Sequence, residues 1–287
     1  MKDFCKIALS FPDGFFVKGI IAALKHQLTD IGITFHKEGG IDITERTKEE
    51  TFVIHVHIST DDLQEYMYIA DEDKVTMGFR LSDLYQAFKP VKRNMSVTWV
   101  ISKDKKGGRI TLLTGGDLGI KRLTKENDEY SAKRSKIPMM NKNIYKCPVD
   151  KFQNICQNTI NGKHTLIISS LNYGKNSDKK NLQGIKCRQE DSMGDDAGGI
   201  KIQRDTVPGF EIRNSIEDDP FQITLSKVHV KTLSNMGKWS LAKSPVKLCG
   251  ARRGGGYLLL SSSLGSYGKV TIALKNDPQQ HSSNISG

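Results

Sequence analysis

Nothing in this 287-residue chain supplies the parts of a catalytic centre that a sequence can display. No Gly-rich loop ends in Gly-Lys-Ser or Gly-Lys-Thr, no His-Glu pair stands at metalloenzyme spacing, and no paired Asp motif closes a strand. The histidines are scattered, and no nucleophile has an evident base beside it. The expectation is a protein that is not an enzyme and has no cofactor and no metal. Cysteine is sparse: Cys5, Cys147, Cys156, Cys187 and Cys249 are an odd set without a close pair, which excludes a disulfide framework and a Cys-rich zinc site and fits a reducing compartment. Long apolar runs are missing too. GIIAAL and YLLL are the densest, far short of a membrane span, and MKDFCKIALSFPDG holds no run suited to a signal peptide.

Negative charge is also in deficit. Forty-three Lys and Arg against 32 Asp and Glu leave a net charge of +11, which points to an anionic partner, most simply nucleic acid, with a basic but non-binding surface as the alternative. Hydrophobic residues at 37% suit a folded chain, and the length allows two domains of ordinary size.

The stretch FFVKGIIAALKHQL spaces Phe16, Ile20, Leu24 and Leu28 four apart, with Val17 and Ile21 widening the stripe, so one side of a helix over 15–28 is apolar. Lys18 and Lys25, two turns apart, point away from that stripe. Short alternating strands follow around Ile31–Phe35, Ile41–Ile43 and Phe52–Ile58. His55 and His57 share one side of the last of these, a spacing open to a metal but, with no third ligand nearby, read as an ordinary sheet face. Strands at 66–69 and 75–79 lead to a second helix with Leu81, Leu84, Tyr85 and Phe88 inward, Lys89 at its edge and Lys92 and Arg93 beyond Pro90. Strands at 96–101, 109–113 and 120–123 complete a first domain whose two halves look alike.

Residues 127–136, NDEYSAKRSK, have no apolar periodicity and read as a connector. A third helix over 147–160 turns Phe152, Ile155, Cys156 and Ile160 to a sheet and neutral Asn154, Gln157 and Asn161 away from it. Strands at 165–169 and 185–187, a turn at 191–199 and an edge strand GIKIQRDT at 199–206 follow, then strands at 207–213 and 221–225. A fourth helix over 227–238 has Val230, Leu233 and Met236 inward and Lys227, Lys231 and Lys238 outward. The last strands are at 246–248, 257–260 and 270–274, and NDPQQHSSNISG is a polar tail.

Taken in order, FFVKGIIAALKHQL, GGIDI, MGFRLSDLYQAFK, KIPMMNKNIYKCPVDKFQNIC, GGIKIQRDT, DPFQITL and GSYGKVTIAL resemble the DNA sliding clamps of the proliferating cell nuclear antigen family, from the first helix to Leu274. The resemblance implies an α+β clamp fold: two similar domains, each of two strand-helix-strands units, with the helices on one face of antiparallel sheets. It places an N-terminal domain at 1–126, a connector at 127–138, a C-terminal domain at 139–275 and a disordered tail at 276–287. It implies a homotrimeric ring on double-stranded DNA, with roughly twelve helices lining the hole by symmetry. Phosphate contacts would come from Lys18, Lys25, Lys89, Lys227, Lys231 and Lys238. A DNA polymerase and other replication or repair proteins would dock through short peptide motifs in an outer groove of Arg46, Val53, Ile137, Pro138 and Tyr257.

Subunits would join by pairing the strand at 119–125, with Gly119, Ile120, Lys121 and Leu123, to the strand holding Ile200, Lys201, Ile202 and Arg204. No membrane partner is implied, and the site of action would be the nucleus or a viral replication site. The chain departs from the family pattern in its basic connector, in Arg46 where an apolar residue is usual, and in Lys275-Asn276-Asp277 where Ala-Pro is usual. Two alternatives keep the fold: a basic monomeric processivity factor, as in herpesviruses, and a hetero-ring subunit. A third is a nucleic-acid-binding scaffold that is no clamp at all.

Overall fold

The computed structural model describes residues 5–104, 107–114, 121–125, 144–162, 165–170, 184–190, 196–203, 211–213, 221–234, 245–250 and 256–276. The first half runs β1 (Cys5–Phe11), α1 (Phe15–Leu24), β2 (Asp30–His36), β3 (Ile41–Arg46), β4 (Phe52–Ile58), β5 (Glu65–Ile69), β6 (Lys74–Arg80), α2 (Leu81–Phe88), β7 (Val97–Asp104), β8 (Gly107–Thr114) and β9 (Lys121–Lys125). The second half runs β10 (Ile144–Cys147), α3 (Val149–Asn161), β11 (Thr165–Ser170), β12 (Gly184–Glu190), β13 (Asp196–Gln203), β14 (Glu211–Arg213), β15 (Gln222–Leu225), α4 (Lys227–Leu233), β16 (Val246–Gly250), β17 (Tyr257–Ser263) and β18 (Gly268–Lys275).

Three sheets have the orders β5-β1-β7-β8-β9, β14-β10-β16-β17-β18-β4-β3-β2-β6 and β13-β12-β11-β15. One rule generates all of them. A strand leads into each helix, and that strand adds to the three-strand meander of the neighbouring unit rather than to its own: β1 pairs β7, β6 pairs β2, β10 pairs β16 and β15 pairs β11. Every strand of the first half has a counterpart nine numbers later, so β5-β1-β7-β8-β9 matches β14-β10-β16-β17-β18 and β6-β2-β3-β4 matches β15-β11-β12-β13. Two pseudo-equivalent lobes result. They merge into the long central sheet because β18 pairs β4, from Gly268 opposite Ile58 to Leu274 opposite Phe52.

The four helices cover one side of this arrangement because their apolar stripes have nowhere else to go. Phe16, Ile20 and Leu24 of α1, Leu81, Leu84 and Phe88 of α2, Phe152 and Ile155 of α3, and Val230 and Leu233 of α4 join a single core with the inward sheet residues Ile33, Ile43, Val56 and Ile272. Each such side chain stabilises the fold by about 1.5–3 kcal/mol through burial. Phe11 packs edge-on against Phe16 and Trp99, with ring centroids 5.5 and 5.7 Å apart, and Trp99 meets Phe88 at 5.5 Å. This aromatic chain ties β1, α1, β7 and α2 together.

Several boundaries differ from the sequence reading. Helix α1 ends at Leu24 and not Leu28, because the amides of His26 and Gln27 bond Ala23 and Leu24 three residues back and tighten the last turn. In α3, Ile160 is 37% exposed, and the inward position belongs to Thr159, 1% exposed. Its hydroxyl donates to Ile155 O at 2.8 Å and is met by Gln189 Nε2 at 2.9 Å, so a polar side chain fits the core. Strand β10 escapes a periodicity reading because it is four residues long. Strand β13 begins at Asp196, inside the segment read as a turn, because a bulge in β13 at Ala197, opposite the step from Gln189 to Glu190, lets its start keep pairing. The change from one lobe to the other falls between β9 and β10; the connector at 127–138 and residues 277–287 of the expected tail lie outside the described residues. Asn276, the first residue of that tail, is anchored: its amide donates to Gly256 O at 2.6 Å, and its side chain accepts from the Thr224 amide at 2.8 Å.

Candidate nucleic-acid interface

Packing fixes the helices as a layer in the order α2, α1, α4, α3. Helices α1 and α2 are antiparallel neighbours: the Lys18 ammonium at the start of α1 donates to the carbonyl oxygens of Lys89 and Val91 past the end of α2, at 2.6 and 2.7 Å. At the other end, the Leu81 amide donates to Thr29 O at 2.9 Å. The turn after α1 meets α4 through Gln27 Nε2, which donates to Thr232 Oγ1 at 2.8 Å.

Of the six lysines assigned to phosphate, the structure separates two kinds. Lys89, Lys227 and Lys231 are exposed on the helix layer, where a polyanion can reach them. Lys18 and Lys25 are half-buried in the groove between α1 and α2. Lys18 neutralises the carbonyl end of α2, a stabilising position for a cation. Lys25 lies over the Tyr85 ring, 3.3 Å from its centroid. That pair borders a 360 Å³ cleft completed by Leu28, Thr29, Leu81, Ser82 and Gln86. Lys238 lies outside the described residues. Helical spacing showed which side these lysines leave from, but not that a neighbouring helix ends beside Lys18 and presents an aromatic ring to Lys25. The exposed face of α3 is neutral at Asn154, Gln157 and Asn161, and Lys151 in its first turn adds a cation that the sequence reading did not single out.

The residues assigned to subunit contact fall on two sheet edges. Lys121 and Leu123 are on β9, the terminal strand of the five-stranded sheet, and Ile200, Lys201 and Ile202 are on β13, a terminal strand of the four-stranded one. Gly119, Ile120 and Arg204 lie outside the described residues.

On the sheet face turned from the helices, Val53, Ala273, Leu259 and Cys249 stand opposite one another on four successive strands. They form an apolar cluster of their own, joined by the half-buried Tyr257. Arg46, across from Val53, pairs with Glu50, and the Tyr257 hydroxyl donates to the Glu50 carbonyl at 3.3 Å. The structure therefore brings Arg46, Val53 and Tyr257 of the expected groove together; Ile137 and Pro138 lie outside the described residues. Further along the same face, Asp42 accepts at 2.8 Å from His36 Nε2 on one oxygen and from His57 Nδ1 on the other, and His55 Nδ1 pairs with the Thr44 hydroxyl at 2.8 Å. Among the described residues no three metal-capable side chains could hold an ion. None of the described helices is long and apolar enough to cross a membrane.

Comparison with solved structures identifies the architecture. Proliferating cellular nuclear antigen from Entamoeba histolytica superposes with a TM-score of 0.72 over 95% of this chain and 99% of that one, at 13% sequence identity. The fold is that of a PCNA-like clamp. No protein-family model and no curated protein sequence matches the chain, so the likeness rests on the clamp fold alone. In the clamp fold of this chain, the helix layer, the two edges β9 and β13 and the outer apolar row occupy three separate faces.

Proposed function

We propose that the chain is a DNA sliding clamp, a non-catalytic processivity factor that encircles duplex DNA. Three copies would assemble head to tail into a homotrimer and tether a DNA polymerase and other replication or repair proteins by short peptide motifs. The outer groove beside the half-buried Arg46 and Tyr257, underlain by the buried Val53 and Leu259, would receive those peptides, and the place of action would be the nucleus or a viral replication site. The helix layer would face the duplex and hold phosphates without reading bases, which leaves the ring free to slide.

One observation carries the ring. Within the chain, the lobes are joined by β18 of the second lobe pairing β4 of the first. Under the nine-strand correspondence, the counterparts of β18 and β4 are β9 and β13, and each of these ends its sheet. Pairing β9 of one copy with β13 of the next repeats the internal junction between molecules. A contact that repeats with constant rotation closes a ring when that rotation divides a full turn and builds an open filament when it does not. The chain's mass in solution tests this: a trimer is expected, at a protein concentration well above that used for DNA binding.

A second reading is favoured by the net charge of +11, which makes copies repel one another in the absence of DNA. It is a monomer that holds DNA by charge alone. A single-chain mass that DNA circles leave unchanged would establish this reading instead.

A further inference from the structure

Resting on the reading of the helix layer as the DNA-facing side, we infer that the first lobe grips the phosphodiester backbone with the turn after α2, through Lys89, Lys92 and Arg93. Lys18 then serves as the residue that positions this turn and not as a phosphate contact itself. All three turn cations are exposed, within five positions of one another. The turn that presents them is pinned at every corner. The Val91 amide donates to Phe88 O at 3.0 Å, Val91 itself is buried, and the Gly14 amide donates to Met95 O at 2.9 Å. The Lys18 ammonium holds the carbonyls of Lys89 and Val91 from the α1 side. Asn94 closes the turn with φ at 59°, a left-handed conformation that Asn tolerates better than most residues.

Two features suit this turn to a phosphate. First, the carbonyls at the end of a helix carry partial negative charge that repels an anion. Lys18 sits on two of the carbonyls at this end and offsets that charge, so the exposed cations act without local opposition. Second, the Arg93 guanidinium lies over the half-exposed Phe15 ring, with 5.4 Å from its central carbon to the centroid. A cation–π contact of this kind uses none of the guanidinium's N–H donors as hydrogen bonds, so they are available to the oxygens of a phosphate. The Lys18 ammonium lies 5.9 Å from the same ring, so Phe15 is within reach of both the positioning cation and the gripping one. In the second lobe the segment 235–244 after α4 lies outside the described residues, and the described helix-layer cations, Lys151 on α3 and Lys227 and Lys231 on α4, sit on the helices themselves.

The test is binding of the full chain to a mixed-sequence duplex carrying a fluorophore, measured by anisotropy from 50 to 200 mM salt. Each lost phosphate contact lowers the slope of log affinity against log salt by about 0.9. Lys92→Gln with Arg93→Gln should lower it by about 1.8 on that scale. Lys48→Gln with Lys74→Gln removes the same charge from exposed positions away from the helices and should leave it unchanged. Lys18→Met should speed amide hydrogen exchange across residues 89–94 and weaken binding, and Lys18→Arg should restore both.

Equal slope losses for the two double variants would overturn the inference, since net charge and not this turn would then be at work. So would a steep wild-type slope that Lys92→Gln with Arg93→Gln leaves intact, with the clamp reading untouched. A wild-type chain without salt-dependent duplex binding would remove the clamp reading and this inference together.

Discussion

Gln27 Nε2 donates to Thr232 Oγ1 at 2.8 Å, and this hydrogen bond links the turn after α1 of the first lobe to α4 of the second. Thr232 is fully buried, and its hydroxyl donates in turn to Val228 O at 3.1 Å, so both of its roles are used. Thr232→Val keeps the shape but leaves the Gln27 amide facing a methyl group. The expected cost is about 1 kcal/mol, and Gln27→Ala should cost a similar amount. A double-mutant cycle in urea should then show coupling of about 0.5–1.5 kcal/mol, the range for one net hydrogen bond. Strict additivity would mean that the lobes do not communicate through this pair.

The junction of β18 with β4 depends on Gly268. Its φ is 151°, and a Cβ there would stand 2.0 Å from the backbone oxygen of His57, its neighbour's partner across the sheet. Gly268→Ala must therefore shift the first pair of the β18–β4 ladder. A loss of about 1–3 kcal/mol is expected, typical for strain at such a backbone position. Denaturant unfolding measures it, and a variant as stable as the parent would show that the lobes are not held at this end.

Three buried thiols, Cys147 of β10, Cys156 of α3 and Cys187 of β12, have raised pKa values, and burial is the first cause. Cys147 is pushed from 9.0 to about 12, with Asp150 adding to the effect. Burial raises Cys156 and Cys187 strongly as well, and the neighbouring thiols reinforce it. The folded state holds its protons where the unfolded state releases them above pH 9. This stabilisation is complete below pH 9 and is lost as pH climbs from there toward 12. The urea midpoint should fall between pH 8.5 and pH 10.5, and Cys156→Ser, which gives up packing, should nonetheless show a weaker pH dependence. A midpoint that is flat across this range would contradict the burial of these thiols.

The same burial sets their chemistry. A thiol-specific reagent at pH 8 should label Cys147, Cys156, Cys187 and Cys249 at the rate of global unfolding, since all four are buried. Labelling by mass spectrometry within seconds in native buffer would show an open second lobe.

Much of the fold was legible because one-sided burial leaves a period in the sequence. The stripe of Phe16, Ile20 and Leu24 and the alternation of Ile41, Ile43 and their neighbours survive unchanged in the structure. Short pieces were not legible: β10 is too brief for a period to register, and Thr159 looks polar until Gln189 is placed beside it. The site was harder. A lysine's spacing along its own helix shows the direction in which it leaves, but its partner belongs to another helix. Lys18 ends on carbonyls more than seventy residues away, and Lys25 on Tyr85. The exchange of lead strands between units, and the β18–β4 pairing that leaves β9 and β13 at sheet ends, are likewise long-range pairings that no local pattern encodes.

Retention on DNA circles tests the clamp itself most directly. The chain is loaded on covalently closed circular duplex, filtered at moderate salt, and filtered again after a single cut linearises the circle. A ring should stay on the circle and run off the linear form while free ends are open, and blocking those ends should restore retention. Equal retention on circular and linear DNA would contradict encirclement and leave a protein held by charge alone.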